Sequence, residues 1–157
     1  GAAATILVSG AHSKGDHKQV RHTVEVALIL AEAVALLVLI GLILGRHYLG
    51  YIFSKDPGII TMTALAILPM ALYQPADALQ VIYSNALRGM EDVKHMALYA
   101  CGVHLIIAPT LCLLFGFGLG LEGGGIQLTA VWSAFPVSLL LLGLLLKRRF
   151  DRISIPR

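Results

Sequence analysis

Apolar positions along this chain gather into unbroken runs separated by short polar stretches, not into the alternation of a half-buried strand. Residues 23–45, 59–87, 96–115 and 126–146 form four such runs. Each is long enough to cross a bilayer core, which takes about 20 helical residues. Residues 1–11 read as the end of one more helix, and polar connections are expected at 12–22, 46–58, 88–95 and in the glycine-rich stretch 116–125. Asp56-Pro57-Gly58 is a strong stop signal. His47, Tyr48, Tyr51 and Phe53 beside it suit a membrane interface, where amphipathic rings settle. A barrel needs alternating segments of about ten residues, which Leu- and Ala-rich runs do not supply. The predicted class is an all-α integral membrane protein, with about four complete transmembrane helices plus the end of another.

Composition agrees with the pattern. The chain is 57% hydrophobic and 13% charged, whereas a soluble domain carries about 25% charged residues. The net charge of +3 is mild, and the bases lie between and after the runs instead of forming the clustered stripe of a nucleic-acid binder, so no nucleic-acid partner is expected. Four crossings place Lys14, Lys18, Arg21, Arg88, Lys94, Lys147, Arg148, Arg149, Arg152 and Arg157 on one side, and only Arg46 and Lys55 on the other. Positive charge collects in the cytoplasm. The basic tail, 147–157, is therefore expected there. Cys101 and Cys112 share one apolar run and have no metal-ligand spacing, so they read as small apolar residues. The chain starts at Gly1 inside an apolar stretch, and we expect it to be the C-terminal part of a longer protein.

The chemistry points to Asp77, an ionisable residue inside the second complete run. A carboxylate in hydrocarbon costs several kcal/mol unless it faces a partner or a wet cavity, so it marks function by default. Tyr73, Asp77, Gln80 and Ser84 recur at steps of four, three and four and share one helix face. Pro75, beside that face, removes a backbone donor and is either a hinge or a static kink. A polar seam with a carboxylate and a helix break, inside a membrane, reads as a transport pathway with Asp77 at its heart. Tyr73, Gln74 and Gln80 are candidates for neutral oxygens around it, or else for interhelical hydrogen bonds, and Ser84 continues the lining. Glu25 and Glu32 share a face of the first complete run. Glu25 lies near its end and can snorkel, while Glu32 lies deeper and ranks second to Asp77. His104 reads as hydrogen-bonded packing. Gly116, Gly118, Gly120, Gly123, Gly124 and Gly125 lack the Lys-Ser/Thr and βαβ context of a phosphate loop. No catalytic constellation is present, so no enzyme and no cofactor is expected.

Tyr73-Gln74-Pro75-Ala76-Asp77-Ala78-Leu79-Gln80-Val81, followed by Ala86-Leu87-Arg88-Gly89, resembles the tenth helix of the multidrug and toxic compound extrusion transporters, nearest their NorM-like bacterial branch. Residues 1–8 with the polar turn after them resemble the end of that family's eighth helix. Phe53-Ser54-Lys55-Asp56-Pro57 resembles the loop before helix ten, and residues 118–124 resemble the turn before helix twelve. The pieces match in order and spacing along nearly the whole chain. The resemblance implies a partial C-terminal lobe, residues 1–157, of a twelve-helix transporter with two six-helix lobes. It implies residence in a bacterial inner membrane, and export of cationic or aromatic drugs in exchange for sodium ions or protons. It also implies partnership with the N-terminal lobe of the same protein, without which the fragment is not expected to transport.

By the same resemblance the acidic residue of helix ten falls on Asp77, as a sodium or proton site, and a loop acid near the drug cavity falls on Asp56. Two departures stand out: Lys55 where a second acid often precedes Asp56, and Met90-Glu91-Asp92-Val93-Lys94 where many members have a Gly-Asp-Thr turn. The rival readings are a lipid-linked saccharide flippase of the same broad superfamily, a membrane-embedded enzyme using Asp77 or His104, and a non-transporting scaffold. A flippase should carry bases inside its spans to hold a pyrophosphate, and here every Lys and Arg sits at or outside a span end. A scaffold leaves the cost of Asp77 unexplained.

Overall fold

Polar capping residues set where the two longest helices begin. The computed structural model describes residues 2–121 and 123–155. Gly1 of the expected partial span, Glu122 of the glycine-rich turn, and Pro156 and Arg157 of the tail lie outside the described residues. The described elements are α1 (Ala2–Ser13), α2 (His17–Phe53), α3 (Pro57–Gly89), α4 (Val93–Gly102), α5 (Ala108–Leu113) and α6 (Gly124–Ile153). α4 and α5 belong to one rod, Val93–Gly118, which widens into π turns at Val103–Ile107 and Leu114–Gly118. Pro109 cannot donate to the Leu105 carbonyl, which accounts for the first widening. Among the described residues, four helices of 37, 33, 26 and 30 residues are long and apolar enough to cross a membrane. The chain is a multi-pass membrane protein.

The helices run past the apolar runs on which they were predicted. The connection expected at 12–22 is only Lys14–Asp16, and the one expected at 46–58 is only Ser54–Asp56. Likewise α3 continues to Gly89, and Lys147–Ile153 are the last turns of α6. Hydropathy marks where hydrocarbon ends, but the backbone still saves its hydrogen bonds by staying helical, while Lys and Arg reach out to water. The turns have local causes. Asp16 caps α2, its carboxylate accepting from the Gln19 amide at 2.9 Å. Asp56 caps α3, accepting from Gly58 at 2.7 Å, with Pro57 at the position where a missing N–H costs nothing.

α1 and α3 end alike. The Asp16 amide reaches back to the Ala11 carbonyl and Gly15 to His12, while Asp92 reaches Leu87 and Glu91 reaches Arg88. This six-to-one, five-to-two pairing requires a left-handed residue, which favours glycine. Gly15 meets that need with φ 68°, but the second turn uses Glu91 at φ 62°, a strain of about 1–2 kcal/mol.

α3 lies at the centre, packed against α1, α2 and α6. Its C-terminal half, Ile82, Tyr83, Ala86 and Leu87, is surrounded by Val8 and Ala11 of α1, Val20 and Val24 of α2, Met96 of α4, and Leu142, Leu146 and Phe150 of α6. α2 buries only Val20, Val24, Ala35 and Gly50. Its outward Leu30, Leu37 and Leu44 face lipid or other helices. Between apolar helices in lipid the hydrophobic term largely cancels, so close contact and polar bonds carry the packing. A Cβ at Gly89 would lie 2.8 Å from the Thr5 carbonyl of α1. Beside it the Thr5 hydroxyl donates to the Asn85 side chain at 3.0 Å.

One ion pair ties the α3–α4 turn to the end of α6. Arg149 Nε donates to Asp92 Oδ2 at 2.6 Å and Nη2 to Oδ1 at 3.2 Å, with His95 Nδ1 also 2.6 Å from Oδ1. Burial pushes the Asp92 carboxyl up, but the hydrogen bonds from Arg149 and His95 outweigh it and hold the group below its ordinary value. A carboxylate with a depressed folded value contributes stability that is full above about pH 4 and is lost as pH falls through the folded value. Arg149→Gln should therefore cost about 1–2 kcal/mol of unfolding free energy near neutrality, between a surface pair and a buried one. That gap should narrow as pH falls below the ordinary aspartate value of about 4 and through the lower folded one. Denaturant titrations of detergent-solubilised wild type and variant at neutral and at acidic pH check this.

Candidate functional site

Asp77 lies in the middle of α3, two residues after Pro75, and is half-buried. α3 stays a single helix through Pro69 and Pro75. Pro75 leaves the buried Ala71 carbonyl without its usual donor four residues on. The Tyr73 hydroxyl lies close enough to the Asp77 carboxylate to interact with its charge. One turn on, the Gln80 amide donates to the Ser84 hydroxyl at 3.1 Å, and Ser84 is buried. The polar face expected along α3 thus resolves into two couples, Tyr73 with Asp77 and Gln80 with Ser84. Among the described residues, no Lys, Arg or His pairs with Asp77.

Tyr73 has a second setting. With Gln74, Pro69 and Met70 of α3 and Trp132, Phe135 and Pro136 of α6, it lines a cleft of about 370 Å³. The Trp132 and Phe135 rings lie 5.5 Å apart at 43°. The aromatic wall therefore adjoins the carboxylate through one shared tyrosine. A purely α3-based reading missed Trp132 and Phe135. The available signal was the sole tryptophan of the chain with an aromatic and a proline three and four residues later on one α6 face.

The remaining candidates are dispersed. Glu32 is half-buried on α2 and has no ion-pair partner among the described residues, while Glu25 is exposed. Asp56 is exposed, and its Oδ1 is engaged as the cap of α3. His104 does not take the hydrogen-bonded packing position expected for it. It sits exposed in the first π turn, on the same outward face as the exposed Ala97 and Cys101, seven and three residues before it. No three His, Cys, Asp or Glu converge among the described residues. A cation held by Asp77 must draw its other ligands from neutral oxygens, or from elsewhere in the protein.

The position of α3 against α6 sets where this site lies. A Cβ at Gly143 would fall 2.8 Å from Leu79 and 3.3 Å from the Gln80 backbone nitrogen. Gly143→Leu should lower unfolding free energy by about 1–3 kcal/mol through overpacking. Gly41→Leu, where a Cβ meets nothing within 4 Å, should leave it unchanged. Parallel denaturation curves separate the two.

Comparison with known proteins bears on this arrangement. The MatE family model matches residues 1–122. A probable multidrug resistance protein NorM of Bradyrhizobium diazoefficiens is 33% identical over 98% of this chain and 33% of its own length. A protein of the same name from Mannheimia succiniciproducens is 33% identical with the same coverage. The Arabidopsis thaliana protein DETOXIFICATION 17 is 33% identical over 92% of this chain and 30% of its own length. The chain spans about a third of the length of these relatives.

Proposed function

The chain belongs to the MatE family, and from that premise we propose that it is part of the C-terminal lobe of a cation-coupled multidrug exporter in which Asp77 binds the coupling ion. The observation that carries this is the absence, among the described residues, of any basic partner for a carboxylate in the middle of a membrane helix. Such a charge costs about 2.5–3.5 kcal/mol at the centre of a bilayer. A sodium ion or a proton neutralises it and removes that cost. Moving one charge through about 100 mV supplies about 2.3 kcal/mol, the same order. One carboxylate is thus enough to bias a two-state rearrangement by ion binding.

The neutral oxygens nearest to hand are Tyr73 and Gln80, with further ligands coming from the rest of the protein. Cationic, aromatic drugs are the substrates we propose, since the cleft of Trp132, Phe135 and Tyr73 adjoins the carboxylate. Asp56 serves first as a helix cap, and a drug-facing role is secondary. Pro75 remains a hinge candidate because the freed Ala71 carbonyl lowers the cost of bending there. The proposed location is a bacterial inner membrane with the C-terminus in the cytoplasm, a reading supported by the bases gathered at one end of the chain's spans. The proposed work is transport, not catalysis, and it requires both lobes around a shared site.

The test uses the whole protein in everted vesicles, wild type against Asp77→Asn, following an aromatic cation under imposed sodium or proton gradients. Efflux driven by one gradient should fall at least tenfold in the variant at equal expression, and the gradient that works names the ion. Undiminished gradient-driven efflux would sink the assignment and move suspicion to Glu32.

A further inference from the structure

The outward face of α6 carries a second, unrelated feature. Val137, Leu141 and Leu144 recur at steps of four and three and are all exposed, making an apolar track about 10 Å long. The track ends in an open hollow of about 400 Å³ lined by Leu144, Lys147, Arg148, Asp151, Arg152 and Ile155. Lys147 Nζ is bound to Asp151 Oδ2 at 2.6 Å, so that couple is neutral. Arg149 points the other way, to Asp92. Arg148 and Arg152, one turn apart on the same face, are exposed and have no carboxylate partner among the described residues.

The helix dipole and the charge asymmetry of membrane proteins explain why bases sit at this end. They do not explain two arginines, without a carboxylate partner among the described residues, converging on a hollow that continues an apolar track. A track for acyl chains leading to a pair of planar cationic forks has the shape and charge of one ligand. We infer that this face binds an anionic phospholipid of the adjoining leaflet, with Arg148 and Arg152 holding its phosphate and Leu144 flanking the glycerol and the start of the chains. The site is separate from Asp77 and does not depend on what the protein exports.

Native mass spectrometry of the whole protein, stripped of lipid in detergent, tests this by titration with phosphatidylglycerol and, separately, phosphatidylcholine. Wild type should bind phosphatidylglycerol at least tenfold more tightly, and the difference should shrink as salt rises. The pair Arg148→Gln and Arg152→Gln should cut that affinity roughly 30-fold and leave phosphatidylcholine binding unchanged. Lys14→Gln, an exposed base at the same end of the bundle, should change nothing. Equal affinity of wild type for the two lipids overturns the inference, and so does an equal loss in Lys14→Gln. Failure of wild type to bind phosphatidylglycerol also overturns it, and would assign the arginines to an acidic segment elsewhere in the protein. The salt and headgroup comparisons on wild type decide the matter even if the double variant folds poorly.

Discussion

At Gly143 the backbone of α6 comes so near α3 that a single methyl group would collide with Leu79 and approach the Gln80 nitrogen. That contact governs the rest. Lipid gives apolar helices little reason to prefer one another, so close approach and a few polar bonds decide where each one lies. Gly143 on one side of α3, and Gly89 with the Thr5–Asn85 bond on another, hold it in the centre of the bundle. Holding α3 there fixes where Asp77 sits and keeps Tyr73 between the carboxylate and the Trp132–Phe135 wall.

The site then combines two physical properties that seldom meet in hydrocarbon. One is a carboxylate without a basic partner among the described residues. The other is an aromatic cleft whose ring faces attract cations. Tyr73 belongs to both, so a cation near the rings and a cation at the carboxylate would repel each other in a low dielectric. Competition of this kind suits the proposed exchange of cations for cations.

Much of this was legible in the sequence, for reasons that can be named. Runs of about 20 apolar residues report membrane helices directly, and the spacing of Tyr73, Asp77, Gln80 and Ser84 reports one face of a helix. The Asp56-Pro57 cap announced where α3 begins. Other features were hidden. Helix ends ran several residues past the apolar runs, because hydropathy tracks the solvent and not the backbone. The pairing of Asp92 with Arg149 joins residues 57 positions apart, and the aromatic cleft joins residues about as distant. No local pattern predicts either. His104 was misplaced because an all-apolar run does not say which of its faces packs inward, and His104 shares the outward one with Ala97 and Cys101. Glu91 in a left-handed turn was likewise invisible, since only the hydrogen-bond pattern around Asp92 demands that conformation.

The central claim is that the Asp77 carboxylate itself takes up the coupling ion. Infrared difference spectroscopy of the reconstituted whole protein reads this directly, on addition of sodium and on stepping the pH, with wild type compared to Asp77→Asn. A carboxyl band that shifts with sodium, or appears on protonation, and that vanishes in the variant is the predicted result. Difference spectra identical in the two proteins would contradict the account and leave Asp77 as a structural acid.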